Sequence, residues 1–298
     1  MAINYQYLKA RAFAPVHQHY TERDTSLYAL SLGLGTDPLN AAALPYVYEG
    51  SPGGLRALPT QAVVLGYPGF WARETDTGID WVRLVHGEQR MRWHRPLPAR
   101  GEVRGLSRIT HLTDKGEGKG AVLVTERRLE NAAGELLASM EQVTMLRGDG
   151  GYSQAGAGQP SDVPLTALTP TPDDRAPDYT DTQTIRPEAA LLYRLMGDYN
   201  PLHADPAVAR QAGFARPILH GLASYGLVAW ALMRQCTDGE PVRLKALDIR
   251  FAAPVYPGDT LVTEIWRIPD APGFVQLRAR VPEQGNKVVL SHGYAELG

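Results

Sequence analysis

A stretch of about 15 residues, Leu222 to Cys236, is apolar nearly all round: Ala223, Leu227, Val228, Trp230, Ala231, Leu232 and Met233 leave it no polar face. A helix of that kind either lies in a core or crosses a bilayer. A bilayer calls for about 20 residues, and Arg234 and Gln235 close this one, so it reads as a core helix that other elements must enclose. Candidate strands follow near 242–254, 259–268, 273–282 and 287–296. The expected unit is an antiparallel sheet wrapped round one buried helix.

A similar order of elements precedes it. Tyr28–Leu34 and Leu58–Phe70 come first, the latter a helix interrupted by Gly66, Pro68 and Gly69, then strands near 81–93, 102–112, 121–130 and 136–146. The joints echo one another: Arg95-Pro-Leu-Pro-Ala-Arg-Gly101-Glu parallels Ala253-Pro-Val-Tyr-Pro-Gly258-Asp, and Gly134-Glu-Leu-Leu-Ala-Ser139 parallels Gly285-Asn-Lys-Val-Val-Leu-Ser291. An internal duplication explains both. Gly148 to about Pro177 is rich in Gly, Ser, Pro, Thr and Asp, the composition of a linker. The expected division is a first domain over 1–150, a linker over 151–178 and a second domain over 179–298.

Chemistry concentrates in Tyr193-Arg-Leu-Met-Gly-Asp198-Tyr-Asn200-Pro-Leu-His203. Gly197 stops a short helix, and Pro201 cannot continue one and pushes Asn200 toward extended backbone. Asp198 and His203 are then presented from a bend that can aim both at one pocket. Downstream, Asp205 reads as an N-cap, Pro206 as the first helical residue and Gly213 as a stop, before His220-Gly221 opens the apolar helix. A carboxylate and an imidazole can hold one water and exchange a proton near pH 7, with the Asn200 amide as a further anchor. Gly221 would offer a free N–H, at the positive end of a helix, to developing negative charge. A bland alternative stays open: a capping Asp, a turn-forming Asn-Pro, an incidental His203 and a helix-capping His220.

Rival chemistries find less support. A formal net charge of −2 gives no reason to expect nucleic acid or an acidic membrane as partner. The single cysteine, Cys236, excludes an intrachain disulfide and suits a reducing compartment. Gly221-Leu-Ala-Ser224-Tyr-Gly226 places its Ser inside a helix, unlike a nucleophile elbow. Lys115-Gly-Glu-Gly-Lys-Gly120 is followed by a strand, so it reads as a hairpin turn and not a phosphate loop. The histidines form no recognised metal motif, and His17-x-His19 is weak. The pairs Arg90/Arg92 and Arg278/Arg280 alternate along strands as solvated faces do. The amino terminus lacks the pattern of a secretory signal and the carboxyl terminus that of a peroxisomal address, which leaves a cytoplasmic location by elimination.

The block Tyr193–Gly226 resembles the signature of the MaoC-like, or hydratase 2, family of (3R)-specific 2-enoyl-CoA hydratases. The matching residues are Tyr193, Gly197, Asp198, Asn200, Pro201, His203, Pro217, His220 and Gly221. Upstream, Tyr28-Ala-Leu-Ser-Leu-Gly, Tyr46-Val-Tyr-Glu49-Gly, Leu58-Pro-Thr60, His86-Gly87-Glu-Gln89 and Lys115-Gly-Glu-Gly118 resemble the amino-terminal half of eukaryotic-type two-hot-dog hydratases. The resemblance implies an α+β double hot dog, two antiparallel sheets each wrapped around a helix, one chain standing in for a homodimer. It also implies reversible, cofactor-free and metal-free hydration of trans-2-enoyl-CoA to (3R)-3-hydroxyacyl-CoA, with chains paired as dimers.

It assigns catalysis to Asp198, His203, Asn200 and Gly221, and to Glu49, for which a solvated loop carboxylate is the alternative. Tyr193, His220, Tyr28 and Gly87 become orienting or substrate-binding residues. In the first copy Gly35-Thr-Asp37-Pro-Leu-Asn40 lacks both the Asp spacing and the His, so one site per chain is expected. The slack left by the interrupted helix near 58–70 could hold a bulky acyl chain. Other substrates remain open: a carrier-protein thioester, a branched dicarboxyl-CoA, or acyl-thioester binding without turnover. A thioesterase would rest on fold analogy alone.

Overall fold

The computed structural model of the chain describes residues 3–154 and 158–298. Residues 155–157, inside the expected linker, and residues 1–2 of the terminus lie outside the described residues. In chain order the first half contains α1 (Tyr5–Ala10), β1 (Val16–Tyr20), α2 (Glu22–Ser31), β2 (Leu84–Trp93), β3 (Gly101–Asp114), β4 (Ala121–Asn131) and β5 (Leu136–Leu146). The second contains β6 (Tyr179–Thr184), α3 (Ala189–Tyr193), α4 (Pro206–Gln211), α5 (Gly221–Cys236), β7 (Leu244–Phe251), β8 (Thr260–Arg267), β9 (Phe274–Val281) and β10 (Lys287–Leu297). All the strands expected from alternation are present. Two short ones, β1 and β6, were not foreseen.

The strands form one antiparallel sheet in the order β1-β3-β4-β5-β2-β7-β10-β9-β8-β6. Each half repeats the same internal order, edge strand first and seam strand last. The halves join edge to edge through β2 and β7, with Glu88 opposite Arg250 and Arg92 opposite Ala246. Joining them removes two exposed edges that would otherwise invite aggregation. This is the double hot dog that the resemblance implies.

Alternation fixes which face is wet. On the outer face Arg250 donates to Glu88 at 2.8 and 3.0 Å, and Arg92 donates to Asp248 across the seam. Arg90 bonds the same Glu88 at 2.6 Å, and Arg278 and Arg280 converge on Glu264. The alternating arginines are therefore outward-facing and ion-paired. The expected linker straps this face without helix or strand between 158 and 178. Its carbonyls at Thr166, Pro170 and Arg175 accept from Arg90, Gln276 and Trp266.

The inner face encloses α5, whose residues Ala223 to Met233 are all buried. The Tyr225 hydroxyl donates to Leu247 O at 2.9 Å, tying the helix to β7. Helix α2, started by a Thr21/Asp24 capping box, packs from the first half directly onto α5. A Cβ on Gly226 would come within 2.6 Å of Leu32 and 3.1 Å of the Tyr28 hydroxyl, so this approach needs glycine. Tyr46 adds an edge-on contact to Trp230, with centroids 5.3 Å apart. One core therefore spans both halves. Among the described residues no helix is long and apolar enough to cross a membrane.

The first half departs from its twin at the helix. Where a broken helix was expected over 58–70, there is a single 3-10 turn, Pro59–Val63. Beyond it Gly66, with φ of +60°, carries the chain flat against Gly105 of β3. A Cβ on Gly105 would lie 2.0 Å from Gly66 O. Pro68 and Gly69 then prevent the helix from resuming. The inner face of β3–β5 is thus covered by irregular chain and not by a helix.

Candidate active site

Each turn of the segment 189–221 has a local cause. After α3 a 3-10 turn, Arg194–Met196, ends on Gly197, whose φ of +114° turns the chain out of the helical direction. Asp198 Oδ1 accepts the Asn200 N–H at 3.2 Å, and Asn200 Oδ1 accepts the Leu202 N–H at 3.1 Å. That second bond caps the turn Pro201–His203. Asp205 caps α4, as expected, by accepting the Ala207 N–H at 2.7 Å. The chain then returns past Ile218 to the start of α5.

This path brings Asp198, His203 and His220 together: one side-chain donor atom from each lies within 4.8 Å of the others. Asp198 is exposed and both histidines are buried. His203 Nδ1 faces Ile218 O at 2.9 Å. A carbonyl can only accept, so Nδ1 carries the hydrogen and the Nε2 lone pair is free in the neutral ring. His220 Nε2 likewise donates to the Asp198 backbone carbonyl at 3.2 Å. The two imidazoles stack, centroids 3.7 Å apart and planes 25° from parallel, and the Tyr193 ring centroid lies 4.9 Å from that of His220.

Burial lowers the pKa of His203 from 6.5, opposed by its Ile218 bond and by Asp198. His220 is pulled down more strongly, by burial first and by the neighbouring His203 second. Both rings are therefore neutral at pH 7. As a metal site the trio is poorly shaped. Imidazole lone pairs lie in the ring plane and must converge to within about 2.1 Å of an ion, whereas stacked rings send theirs out side by side. A shared water suits the set better.

Gly221 is the first residue of α5, with His220 as N-cap. Ala223 and Ser224 donate to His220 O, while the Gly221 N–H, at the head of the helix, has no intrahelical acceptor. The Phe251 ring lies 3.3 Å from where a Gly221 Cβ would stand. Phe251 in turn packs on His86, centroids 4.7 Å apart. The exposed Asn200 spends its side-chain oxygen on the cap and keeps its Nδ2 for another partner.

The remaining candidates fall in different places. Tyr28 and Tyr193 are fully buried against one another, centroids 6.0 Å apart, and neither hydroxyl has a hydrogen-bond partner among the described residues. Gly87 occupies the bulge that shifts register between His86 and Glu88, tight against Met145. Its local work is to turn His86 inward. Glu49 is exposed in the turn after Tyr46, makes no hydrogen bond or ion pair among the described residues, and is not one of the three groups clustered within 4.8 Å.

Two contributors were missed from sequence. His86 faces the site, with its pKa lowered to about 4 by burial and raised in part by Asp198. Tyr67 lies in electrostatic reach of the same carboxylate. Strand alternation plus the Gly87 bulge could have located His86; nothing local marks Tyr67.

A family model described as MaoC like domain matches residues 169–284, and one described as MFE-2 hydratase 2 N-terminal domain matches residues 18–148. 3-Hydroxyacyl-thioester dehydratase Y of Mycobacterium tuberculosis is 38% identical over 95% of this chain and 94% of its own. The chain belongs to the MaoC-like, hydratase 2 family. The peroxisomal enoyl-CoA hydratase 2 of Arabidopsis thaliana is 35% identical over 99% of this chain and 95% of its own. The crystal structure of a MaoC-like dehydratase from Phytophthora capsici matches with a TM-score of 0.81 and 30% identity, covering 99% of each chain.

Proposed function

We propose that the chain is a hydro-lyase that reversibly adds water to trans-2-enoyl-CoA, giving (3R)-3-hydroxyacyl-CoA. The observation that carries this reading is the fixed tautomer of His203: Nδ1 is spent on Ile218 O, which leaves Nε2 as the basic nitrogen of a ring clustered with the Asp198 carboxylate. A water held by the pair gives up a proton as its oxygen bonds to C3. The C2–C3 π electrons move onto the thioester as an enolate, whose oxygen accepts the Gly221 N–H. The pair then returns one proton to C2. One water is added and nothing is oxidised.

His220 and Tyr193 hold the His203 ring in place, and Asn200 Nδ2 is available to the same water. The division of labour follows the duplication: residues 179–298 supply the acid–base groups, and residues 1–150, without a central helix, receive the acyl part. The names of the relatives support enoyl and 3-hydroxyacyl thioesters as the substrate class. The deciding assay gives purified protein crotonyl-CoA and longer trans-2-enoyl-CoAs and resolves the product enantiomers. Absence of a 3-hydroxyacyl product with every acyl chain would refute the reading, and an (S) product would refute its stereochemistry.

A further inference from the structure

Arg127 is the exception to the sheet's alternation. Its neighbours on β4, Glu126 and Arg128, point outward, where Glu126 pairs with Arg108 and Arg128 reaches Glu130. Arg127 points inward and is only 8% exposed. Its guanidinium donates to Val63 O at 2.5 Å, contacts Met140 Sδ at 3.0 Å and lies 5.4 Å over the Tyr67 ring. Among the described residues it has no ion-pair partner, and its buried Nε has no acceptor. A buried cation without a counter-ion is costly, so such a group marks a place where an anion would be welcome. Burial lowers its pKa to about 10, which still leaves it charged at neutral pH.

Part of the inner face beside it is polar and only half-buried. Ser107 faces Arg127, and in the next row Thr125 faces Gln142, which faces Gln89. Ser107, Thr125 and Gln142 lie on the inner face, yet each is only partly buried. The corresponding inner row of β9 (Val275, Leu277, Ala279 and Val281) is fully buried. Tyr67, which stacks under the Arg127 guanidinium, has its pKa raised by burial first and then by Asp198, with Arg127 opposing.

We propose that Arg127 is a specificity-determining residue that receives a carboxylate borne on the acyl part of the substrate, making acyl-CoA thioesters with a second, terminal carboxyl group the preferred class. The inference rests on the reading of Asp198, His203 and the first half given above, and it names the substrate class of that site. A guanidinium meeting a carboxylate away from bulk water makes charge-assisted bonds stronger than those of exposed pairs.

The test uses the full chain and pairs of CoA thioesters alike except for that carboxylate. Binding of the saturated glutaryl-, adipyl- and suberyl-CoA is compared by calorimetry with that of pentanoyl-, hexanoyl- and octanoyl-CoA. At least one diacid should bind about tenfold to a hundredfold more tightly than its neutral partner. Arg127→Met should erase that difference while changing the affinity for the neutral member by less than about threefold. Arg127→Lys, which keeps the charge and loses the fork, should retain part of it. Equal affinities in the parent protein would overturn the proposal, and so would an equal loss for both members in Arg127→Met, the signature of a scaffold. If Arg127→Met does not fold, the parent preference and Arg127→Lys still decide. Turnover of the matching trans-2-enoyl pair is scored separately. Preferential diacid binding without hydration of either would sink the hydratase reading and leave the carboxylate site standing.

Discussion

His203 and His220 stack face to face with centroids 3.7 Å apart, and each gives one ring nitrogen to a backbone carbonyl, Ile218 O for the first and Asp198 O for the second. The pair therefore resists protonation twice over: both rings are buried, and a charge on one is felt by the other.

The acid limb of the rate profile follows from this arrangement. In the proposed mechanism His203 is a neutral base, and burial lowers its pKa from 6.5. The active form therefore persists at pH 6.5, and kcat/KM falls only as the pH drops through a midpoint below that value. A profile of crotonyl-CoA hydration between pH 4.5 and pH 8 checks it; a midpoint above 6.5 contradicts it. Stability shifts in the same direction. The unfolded chain binds protons at these histidines that the folded chain refuses, so stability is complete above 6.5 and declines as pH falls toward the folded values. Urea midpoints at pH 7 and pH 5 should show the loss.

Asp198 separates activity from stability. It is exposed, and among the described residues its carboxylate accepts only the Asn200 N–H, at 3.2 Å. Asp198→Asn should lower kcat by about 10²–10⁴-fold and shift stability by less than about 0.5 kcal/mol. His203→Gln should lose as much rate and also some stability, because it empties a stacked, buried position. Parallel thermal melts and initial rates distinguish the two variants. Undiminished turnover in Asp198→Asn would remove the carboxylate from the mechanism.

The Gly221 N–H can be deleted without breaking the helix, because proline is accepted at the first helical position. Gly221→Pro should cut kcat by about 10²–10³-fold if that donor meets the enolate oxygen. Both proline and alanine bring a Cβ to 3.3 Å from the Phe251 ring, so Gly221→Ala shares the crowding and keeps the donor. The ratio of the two rates isolates the hydrogen bond. Equal rates would assign the whole effect to Phe251.

What the sequence discloses and what it hides have separate causes. Strands β2–β5 and β7–β10 were legible because their alternation is strong, and α5 because it has no polar face. The two edge strands were hidden by polarity: Val16-His-Gln-His-Tyr20 and Tyr179-Thr-Asp-Thr-Gln-Thr184 carry no apolar rhythm, since only one neighbour and little core ask anything of them. Asp198, His203 and His220 were legible as a motif, yet not their stacking, which depends on the return of the chain past Ile218. His86 was obscured by the Gly87 bulge, which reverses the face that simple alternation assigns. Arg127 stood inside Glu126-Arg-Arg128, a charge run that reads as a solvated face until the register turns its middle member inward.

The irregular cover of the first half can be tested where it touches the sheet. A Cβ on Gly105 would stand 2.0 Å from Gly66 O, and a Cβ on Gly66 would stand 2.8 Å from Gly105 Cα, so either methyl forces the same two backbones apart. Gly105→Ala should cost about 1–3 kcal/mol. Gly66→Ala should cost at least as much, because its φ of +60° disfavours any side chain as well. Once the first methyl has opened the gap, the second meets less resistance, so the double variant should lose less than the sum of the two. Denaturant unfolding of all four proteins gives the coupling. Strict additivity would mean that the segment 59–70 is not seated on β3, and the inner face holding Arg127 would then lack the cover on which its burial depends.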